Sequence, residues 1–293
     1  MNPPLRPLRG IALLLVALLA FASFDATAKF LATRYPLPML VWVRYTLPCL
    51  LLLAWFGPRQ GRGLVATRHP GTQIVRALLL VTCTGSGMAA VRTIPLAEAT
   101  AILFVAPLLV TLAAGPVLGE RVPRRAWAAT AIGFAGVLLI ARPGTHLDAA
   151  GCALMLLAAV SFAAYQLLTR RLAATDRSLV TLFYSMSVGA LVMTLGLPLY
   201  GSRIDPPALH LLLIASLGIW GMLGHFLLIR AFAHAPASSL SPFLYCQLVW
   251  ATLLGWLAFG DLPDWITACG IALIAAAGLA IAMGQRQRGQ PPA

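Results

Sequence analysis

Ionisable side chains inside long apolar stretches are the most chemically informative residues of this chain. Asp25 and Lys29 are four residues apart in the first stretch, so they share one face of a helix. Arg44 lies within the second stretch, and Glu98 follows Pro95 at the beginning of the fourth. A charge inside a bilayer is costly, and such residues usually mark a substrate, ion or proton pathway. Two interpretations stay open: the four charges line or gate a polar pathway, or they form an ion-pair network that only fixes helix orientation.

Polar and aromatic side chains in the later stretches are the other candidates for this pathway. They are Tyr165, Gln166, Trp220, His225, Tyr245 and Gln247. A His or Gln within a span also hydrogen-bonds neighbouring helices for structural reasons, and Trp and Tyr also pack in the core or at the membrane interface. The sequence therefore predicts side chains suited to a substrate with an aromatic ring, and it leaves the structural alternative open for each.

Two prolines are predicted to bend the helices that carry this pathway. Pro107 lies in the fourth stretch and Pro242 in the ninth, and each removes one backbone hydrogen bond of a helix. A carbonyl freed in this way must face protein or water in a membrane, so we expect both helices to line a cavity. The fifth and tenth stretches hold small residues and no charge, which favours a scaffold role or a contact in a homodimer.

The elements that must position these residues are membrane-spanning helices. Hydrophobic residues make up 60% of the 293 residues, charged residues make up 10%, and the mean hydropathy is +0.88. A soluble domain has about 25% charged residues, and a spanning helix needs about 20 apolar ones. Ten stretches meet this requirement, namely 10–29, 37–56, 74–92, 96–118, 126–141, 149–169, 178–199, 207–229, 238–259 and 265–282. The composition predicts an all-α integral membrane protein with ten transmembrane helices.

The ten stretches fall into two copies of a five-helix unit, because the sequence repeats at an offset of 141 residues. Matched pairs include Phe21 and Phe162, Pro95 and Pro236, and Glu120 and Asp261. The predicted repeats span residues 10–141 and 149–282 and leave a cytoplasmic tail at 283–293. A unit with an odd number of spans ends on the opposite side of the membrane, so its copy is inverted. Many secondary transporters are built from such inverted repeats around a shared midplane site.

The basic residues predict which way the helices run. Most of the 21 lysine and arginine residues lie at the two termini and in the even-numbered connections. The positive-inside rule then places both termini in the cytoplasm, and it accounts for the net charge of +13 without nucleic acid as a partner. Arg6, Arg9 and the segment Ala26-Thr27-Ala28 resemble a cleavable secretory signal. We expect this segment to be retained, because its removal would break the repeat.

Motifs that would indicate an enzyme or a cofactor are missing from the sequence. The single lysine, Lys29, does not follow a glycine, so the chain has no phosphate-binding loop for ATP. No histidine is followed by glutamate as in zinc proteases, and the five cysteines show no paired spacing. We therefore predict no enzymatic activity, no cofactor and no metal site.

A resemblance to a known family is carried by three segments, which are 95–120, 235–261 and 21–29. The first two are similar to the fourth and ninth helices of the EamA family in the drug/metabolite transporter superfamily, with Asp261 where the family usually has Glu. The third, Phe-x-x-Phe-Asp-Ala-x-x-Lys, is similar to a branch often described as S-adenosylmethionine or riboflavin uptake transporters. The resemblance implies ten helices in two inverted repeats around a central cavity, and alternating access without ATP. Other members of the family export amino acids.

The leading hypothesis is a secondary carrier for a small polar or amphipathic metabolite, multi-pass in the bacterial inner membrane. In this hypothesis Asp25, Arg44 and Glu98 bind charged groups of the substrate or a coupling proton. S-adenosylmethionine, riboflavin and amino-acid-like solutes are the candidate substrates, in either direction of transport. The second hypothesis is a flippase for lipid or a lipid-linked sugar, and the third is a non-transporting scaffold or an intramembrane enzyme.

Overall fold

The computed structural model describes residues 7–32, 34–90, 93, 99, 102–141, 148–196, 206–259 and 264–286, and the regular structure in these ranges is helical. The helices are α1 (Pro7–Ala32), α2 (Leu37–Gln60), α3 (Pro70–Ala90), α4 (Ala106–Leu118), α5 (Arg124–Ala141), α6 (Ala149–Leu172), α7 (Ser178–Gly196), α8 (Ala208–His234), α9 (Ala237–Leu240), α10 (Cys246–Phe259) and α11 (Trp265–Arg286). Two 3₁₀ turns, Gly61–Leu64 and Ser241–Tyr245, complete the described elements. Each predicted stretch contains a helix, and the predicted all-helical fold is confirmed.

Seven of the described helical segments are long and apolar enough to cross a membrane. They are Pro7–Ala28, Pro38–Leu64, Pro70–Ala90, Ala149–Leu172, Ser178–Gly196, Ala208–His234 and Ala237–Leu254. Large apolar side chains cover their outer surfaces: Leu195, Leu212 and Leu257 are 73%, 69% and 67% exposed. Contiguous exposed apolar surface is costly in water and suits contact with lipid tails. The outer surface therefore agrees with a membrane protein.

The ninth predicted stretch is interrupted where proline was expected to bend it. Pro242 lies in the 3₁₀ turn between α9 and α10, because its ring has no N–H to donate to an α-helical ladder. Pro107 lies in the first turn of α4, a position that a proline tolerates without breaking a helix. The helix α4 therefore begins one residue before Pro107 and ends at Leu118, and it is followed by Gly119, whose φ of 67° favours glycine.

The packing of the helices repeats when the two halves are exchanged. The helix α1 packs against α8, and its counterpart α6 packs against α3. In the same way α1 contacts α10 where α6 contacts α4, and α2 contacts α8 where α7 contacts α3. The helices α2 and α7 are counterparts that pack against each other, and so are α5 and α11, so exchanging the halves leaves these two pairs unchanged. This pattern is that of a pseudo-two-fold arrangement, in which the most extensive helix packing is between the halves.

Contacts between connections show which helix ends lie together. Thr67, before α3, donates a hydrogen bond to Asp176, before α7. Tyr35, before α2, is hydrogen-bonded to His210 in the first turn of α8 at 2.8 Å. These contacts agree with consecutive spans that alternate in direction. We call the end at which α1, α3 and α7 begin the N-terminal side, and the end at which α2, α6 and α8 begin the far side.

Candidate functional site

Three helices from both halves meet at a hydrogen-bonded arginine, histidine and tyrosine. Arg44 of α2 is joined through Nη2 to Nε2 of His225 on α8 at 3.1 Å. The hydroxyl of Tyr165 on α6 is joined to Nδ1 of the same imidazole, also at 3.1 Å. A guanidinium only donates, so Nε2 accepts, Nδ1 carries the proton, and the Tyr165 oxygen accepts from it. We call Arg44, His225 and Tyr165 the central triad.

Aromatic rings on α1 enclose the central triad. The Arg44 guanidinium carbon lies 4.5 Å from the centre of the Phe24 ring, a cation–π contact that favours the charged form inside the protein. The edge of Phe21 meets His225 at 4.9 Å between ring centres. Gly224 makes this approach possible, since a Cβ built there would lie 2.5 Å from the Phe21 ring. The imidazole is therefore fixed between α1, α2 and α6.

Asp25 lies beside the triad but does not pair with it. Gln247 of α10 donates from Nε2 to the Asp25 carboxylate at 2.9 Å, and the Asp25 side chain is exposed on the protein surface. Among the described residues no carboxylate lies within 4.0 Å of the Arg44 guanidinium. The predicted four-charge cluster is thus only partly visible, because Glu98 and the side chain of Lys29 lie outside the described residues.

Arg76 is a buried cation that the sequence interpretation missed. We counted it with the basic connections, although it falls inside the predicted stretch 74–92, and that position was the available signal. Arg76 is fully buried in α3 and donates to Thr169, the carbonyl of Thr181, Ser185 and the side chain of Gln73. Its guanidinium carbon lies 4.9 Å from the centre of the Tyr165 ring. Arg76 therefore supports the central triad from the N-terminal side.

A cavity of about 230 Å³ opens between α2, α3 and α7. Its lining includes Pro38, Val41, Tyr45, Thr84, Met88 and Met193. Tyr45 is hydrogen-bonded to Thr84 at 3.0 Å, and the Arg44 guanidinium carbon lies 5.6 Å from the Tyr45 ring. The lining residues lie near the beginning of α2 and the ends of α3 and α7, so the cavity is on the far side and adjoins the triad through Tyr45.

The remaining predicted residues are distributed around this centre. Gln166 is fully buried, and both atoms of its carboxamide lack a hydrogen-bond partner in the described part of the chain. Trp220 is half-buried on α8. Tyr245 lies against a different part of the fold, since its ring contacts Phe104 and a Cβ built at Gly133 of α5 would lie 2.4 Å from it. The structure brings Asp25, Arg44, Tyr165, His225 and Gln247 to one region, and Tyr245 faces α5, which we predicted to be scaffold.

A second polar cluster lies on the N-terminal side of the fold. Arg170, at the end of α6, pairs with Glu120 at 2.8 Å and donates to the carbonyl of Phe232. The Glu120 carboxylate also accepts hydrogen bonds from the backbone N–H of Ala237, at Oε1, and of Ser238, at Oε2, both at 3.3 Å. Glu120 therefore caps the beginning of α9 while it holds α6. We call Glu120, Arg170, Ala237 and Ser238 the Glu120 latch.

Long apolar helices, one of which carries the buried Arg76, indicate a helical membrane protein. The chain belongs to the EamA-like transporter family, because the family's sequence profile matches residues 8–142 and 149–283. The resemblance drawn from the motifs is confirmed, and the class is that of transporters and not of enzymes.

Several curated relatives align with nearly the whole chain. The S-adenosylmethionine uptake transporter of Rickettsia prowazekii is 28% identical over 289 residues, covering 98% of this chain and 97% of that protein. The riboflavin transporter of Rhizobium johnstonii is 29% identical over 298 residues, covering 99% and 96%. The pseudopaline exporter CntI of Pseudomonas aeruginosa is 28% identical over 275 residues, covering 93% and 95%. The names of these relatives differ in the solute, and one names uptake while another names export.

A solved crystal structure has the same fold. It superposes with a TM-score of 0.83 at 20% sequence identity and covers 95% of this chain and 98% of its own. At this identity the similarity supports the arrangement of the helices and gives no information on the solute.

Proposed function

We propose that this protein is a secondary carrier for a small polar or amphipathic metabolite, with the central triad at the core of its binding site. The observation that carries the proposal is Arg44, a cation among membrane helices whose contacts with the described residues are to a neutral imidazole and to aromatic rings. A charge in that position is costly and usually functional. Because α2, α6 and α8 all contribute, any relative motion of the halves acts directly on the site.

Alternating access is the mechanism that the two ends of the fold favour. The Glu120 latch joins α6, α9 and the α4–α5 connection on the N-terminal side, whereas the cavity opens on the far side. The positive-inside rule assigns the N-terminal side to the cytoplasm. We therefore propose a state that is closed to the cytoplasm and open to the far side, in a bacterial inner membrane with both termini in the cytoplasm.

The exchange of packing partners between halves supports an inverted repeat. A five-span unit must invert in its second copy, and a pseudo-two-fold axis in the membrane plane then relates the two states of the carrier. The opposite state would break contacts at the Glu120 latch and form the equivalent contacts at the far side. We propose the boundaries 10–141 and 149–282 for these two repeats.

Reconstitution in liposomes tests the carrier function directly. Uptake is measured against a panel that contains S-adenosylmethionine, riboflavin and aromatic amino acids, each with and without a pH gradient. We expect at least one solute to move, and we expect Arg44→Gln to slow its transport by about tenfold or more, because a hydrogen bond to a charged group contributes about 1.5–3 kcal/mol. Asp25→Asn tests whether the pH gradient acts through that carboxyl group.

The exposed Arg59, which lies on the same helix, provides the matched control, and Arg59→Gln should leave transport unchanged. Movement of fluorescent lipid across the liposome with no movement of solutes would replace the carrier with a flippase. No movement of either would remove the transport proposal for the isolated chain.

A further inference from the structure

The cavity between α2, α3 and α7, which we call the vestibule, ends at the level of Tyr45 and Thr84. Tyr45 is eight residues after Leu37, where α2 begins, and Thr84 is six residues before Ala90, where α3 ends. A rise of 1.5 Å per residue places both about 9–12 Å from the far-side ends of their helices. Apart from Val81, the other lining residues lie nearer to those ends. Tyr45 and Thr84 therefore form the floor of the vestibule.

Tyr45 is held in this floor by α3 and α7. Its side chain is fully buried, and its hydroxyl is 3.0 Å from Oγ1 of Thr84. Thr84 donates its own proton to the carbonyl of Leu80 at 2.9 Å, so Tyr45 is the donor to Thr84. On the opposite side α7 approaches through Gly189, where a Cβ would overlap the Tyr45 ring. The ring is thus fixed between a glycine and a hydrogen-bond acceptor.

The same side chain borders the central triad. The Arg44 guanidinium carbon lies 5.6 Å from the centre of the Tyr45 ring. Beyond the floor the packing is tight, because Cys49 on α2, Leu80 on α3 and Met186 on α7 are all buried. Tyr45 therefore lies between the vestibule on the far side and the side chains at the centre of the protein.

We infer that Tyr45 is the gate between the vestibule and the central triad, and that its hydrogen bond to Thr84 keeps this gate closed. The inference rests on the proposed carrier function and names the residue that controls entry of the solute from the far side. The ring is the barrier, and the hydroxyl holds it in place. One neutral hydrogen bond contributes modestly to stability, so the gate closes without becoming a permanent seal. In this state the vestibule is open and the gate is closed.

Reaction of Cys49 with a membrane-impermeant methanethiosulfonate measures how often the gate opens. Cys49 lies one turn beyond Tyr45 on the same face of α2 and is buried, so a reagent added from the far side must pass Tyr45 to reach it. The full-length protein is labelled in spheroplasts after its other four cysteines are replaced. We expect Tyr45→Phe and Thr84→Val each to speed labelling about two- to tenfold, because each removes the same neutral hydrogen bond.

Tyr35→Phe provides the matched control, because Tyr35 also lies on the far side and its hydroxyl is hydrogen-bonded to His210 at 2.8 Å. This variant should leave the labelling rate of Cys49 unchanged. The double variant with Tyr45→Phe and Thr84→Val should react no faster than either single variant, since both changes remove one shared bond. Size-exclusion elution checks that each variant remains folded.

Transport kinetics add a measurement that a purely structural role of Tyr45 would not explain. The apparent affinity for a ligand is reduced by the fraction of protein in the binding-competent state, so a gate that opens more often increases it. For a solute that moves in the liposome panel, we expect Thr84→Val to lower the KM for entry from the far side by about two- to tenfold. General loss of structure would raise KM or reduce the maximal rate instead.

Failure of the gate is distinguishable from failure of the carrier function. Unchanged labelling in Tyr45→Phe and Thr84→Val, or an equal increase in Tyr35→Phe, would remove Tyr45 as the gate. Faster labelling with an unchanged or higher KM would mean that the solute does not enter through the vestibule, and the carrier proposal would remain. If no solute moves across liposomes, the carrier proposal fails, and the gate fails with it.

Discussion

Two arginines inside apolar helices have different roles because their surroundings differ. Both guanidinium groups lie over an aromatic ring, Arg44 over Phe24 and Arg76 over Tyr165, and these two rings are at equivalent positions of the sequence repeat. Arg76 is fully buried and donates to four groups on three helices. Arg44 is half-buried, and its Nε has no hydrogen-bond partner among the residues that the structure describes. We therefore propose that Arg76 stabilises the fold and that Arg44 is available to a ligand.

Replacing Arg76 tests this difference. Arg76→Leu removes the donor that Thr181 and Ser185 share, and unsatisfied buried acceptors are costly, so we expect a loss of about 3 kcal/mol or more in the free energy of unfolding. Thermal unfolding in detergent measures it. Arg171→Gln, at an exposed position of α6, should leave the unfolding midpoint unchanged. A variant at Arg76 that is as stable as the wild type but does not transport would place Arg76 in the pathway instead.

The sequence identifies the candidate residues of the site, but it does not predict which residues they are hydrogen-bonded to. Asp25, Arg44, Tyr165 and His225 stand out because polar groups are rare in apolar stretches. The hydrogen bond from Arg44 to His225 joins α2 to α8 across the two halves, and no local pattern encodes such a pairing. Arg76 was misassigned because it follows a basic connection, where positive residues are expected for topological reasons.

At the scale of elements, the beginning of α9 depends on a side chain from another helix connection. The four-residue helix α9 has no side-chain cap of its own, and Glu120 supplies the acceptors for its first N–H groups. The repeat predicts an acidic residue at this junction in both halves. Its partner Arg170 is visible only in the structure, because the pairing joins α6 to the connection after α4.

Weakening the Glu120 latch should shift the carrier toward the state open to the cytoplasm. Glu120→Gln removes the ion pair with Arg170, and a loss of 1–2 kcal/mol changes a two-state population by about five- to thirtyfold. The measurement is the rate at which an impermeant maleimide, added from the cytoplasmic side, reacts with Ser241→Cys in a background that lacks the native cysteines. Position 241 is buried just beyond the latch. Arg121→Gln, at the adjacent exposed residue, is the control.

An unchanged labelling rate in Glu120→Gln would mean that the latch is a structural cap only. A uniform increase in labelling, also for Arg121→Gln, would indicate general destabilisation of the connection and not a gate.

At the scale of the whole molecule, the repeat gives each connection a counterpart on the opposite side of the membrane. The connection between α1 and α2 is equivalent to that between α6 and α7, since the two halves are offset by 141 residues. The number of spans per repeat could be predicted from hydropathy, and the exchange of packing partners agrees with it. The nature of the solute could not be predicted in this way, because it depends on charges that distant helices bring together.

Labelling of spheroplasts tests the opposite orientation of the halves. Arg34 and Ala174 are exposed residues in these two equivalent connections. Each is replaced by cysteine in turn, as Arg34→Cys and Ala174→Cys. An impermeant maleimide should react with Arg34→Cys from outside, because the odd-numbered connection is external, and with Ala174→Cys only after lysis. Reaction of both from the same side would contradict the inverted repeat and the alternating-access proposal.

The anchoring of Arg76 has a consequence for how the chain is made. The ribosome releases α3 long before α6 and α7, yet the groups that satisfy its guanidinium are Thr169 on α6 and Thr181 and Ser185 on α7. Until these later segments emerge, the nascent third span carries an uncompensated charge, which disfavours its release into lipid. We therefore expect the third span to reach its final position only after the second half has been translated, which would make the two repeats a single unit of assembly.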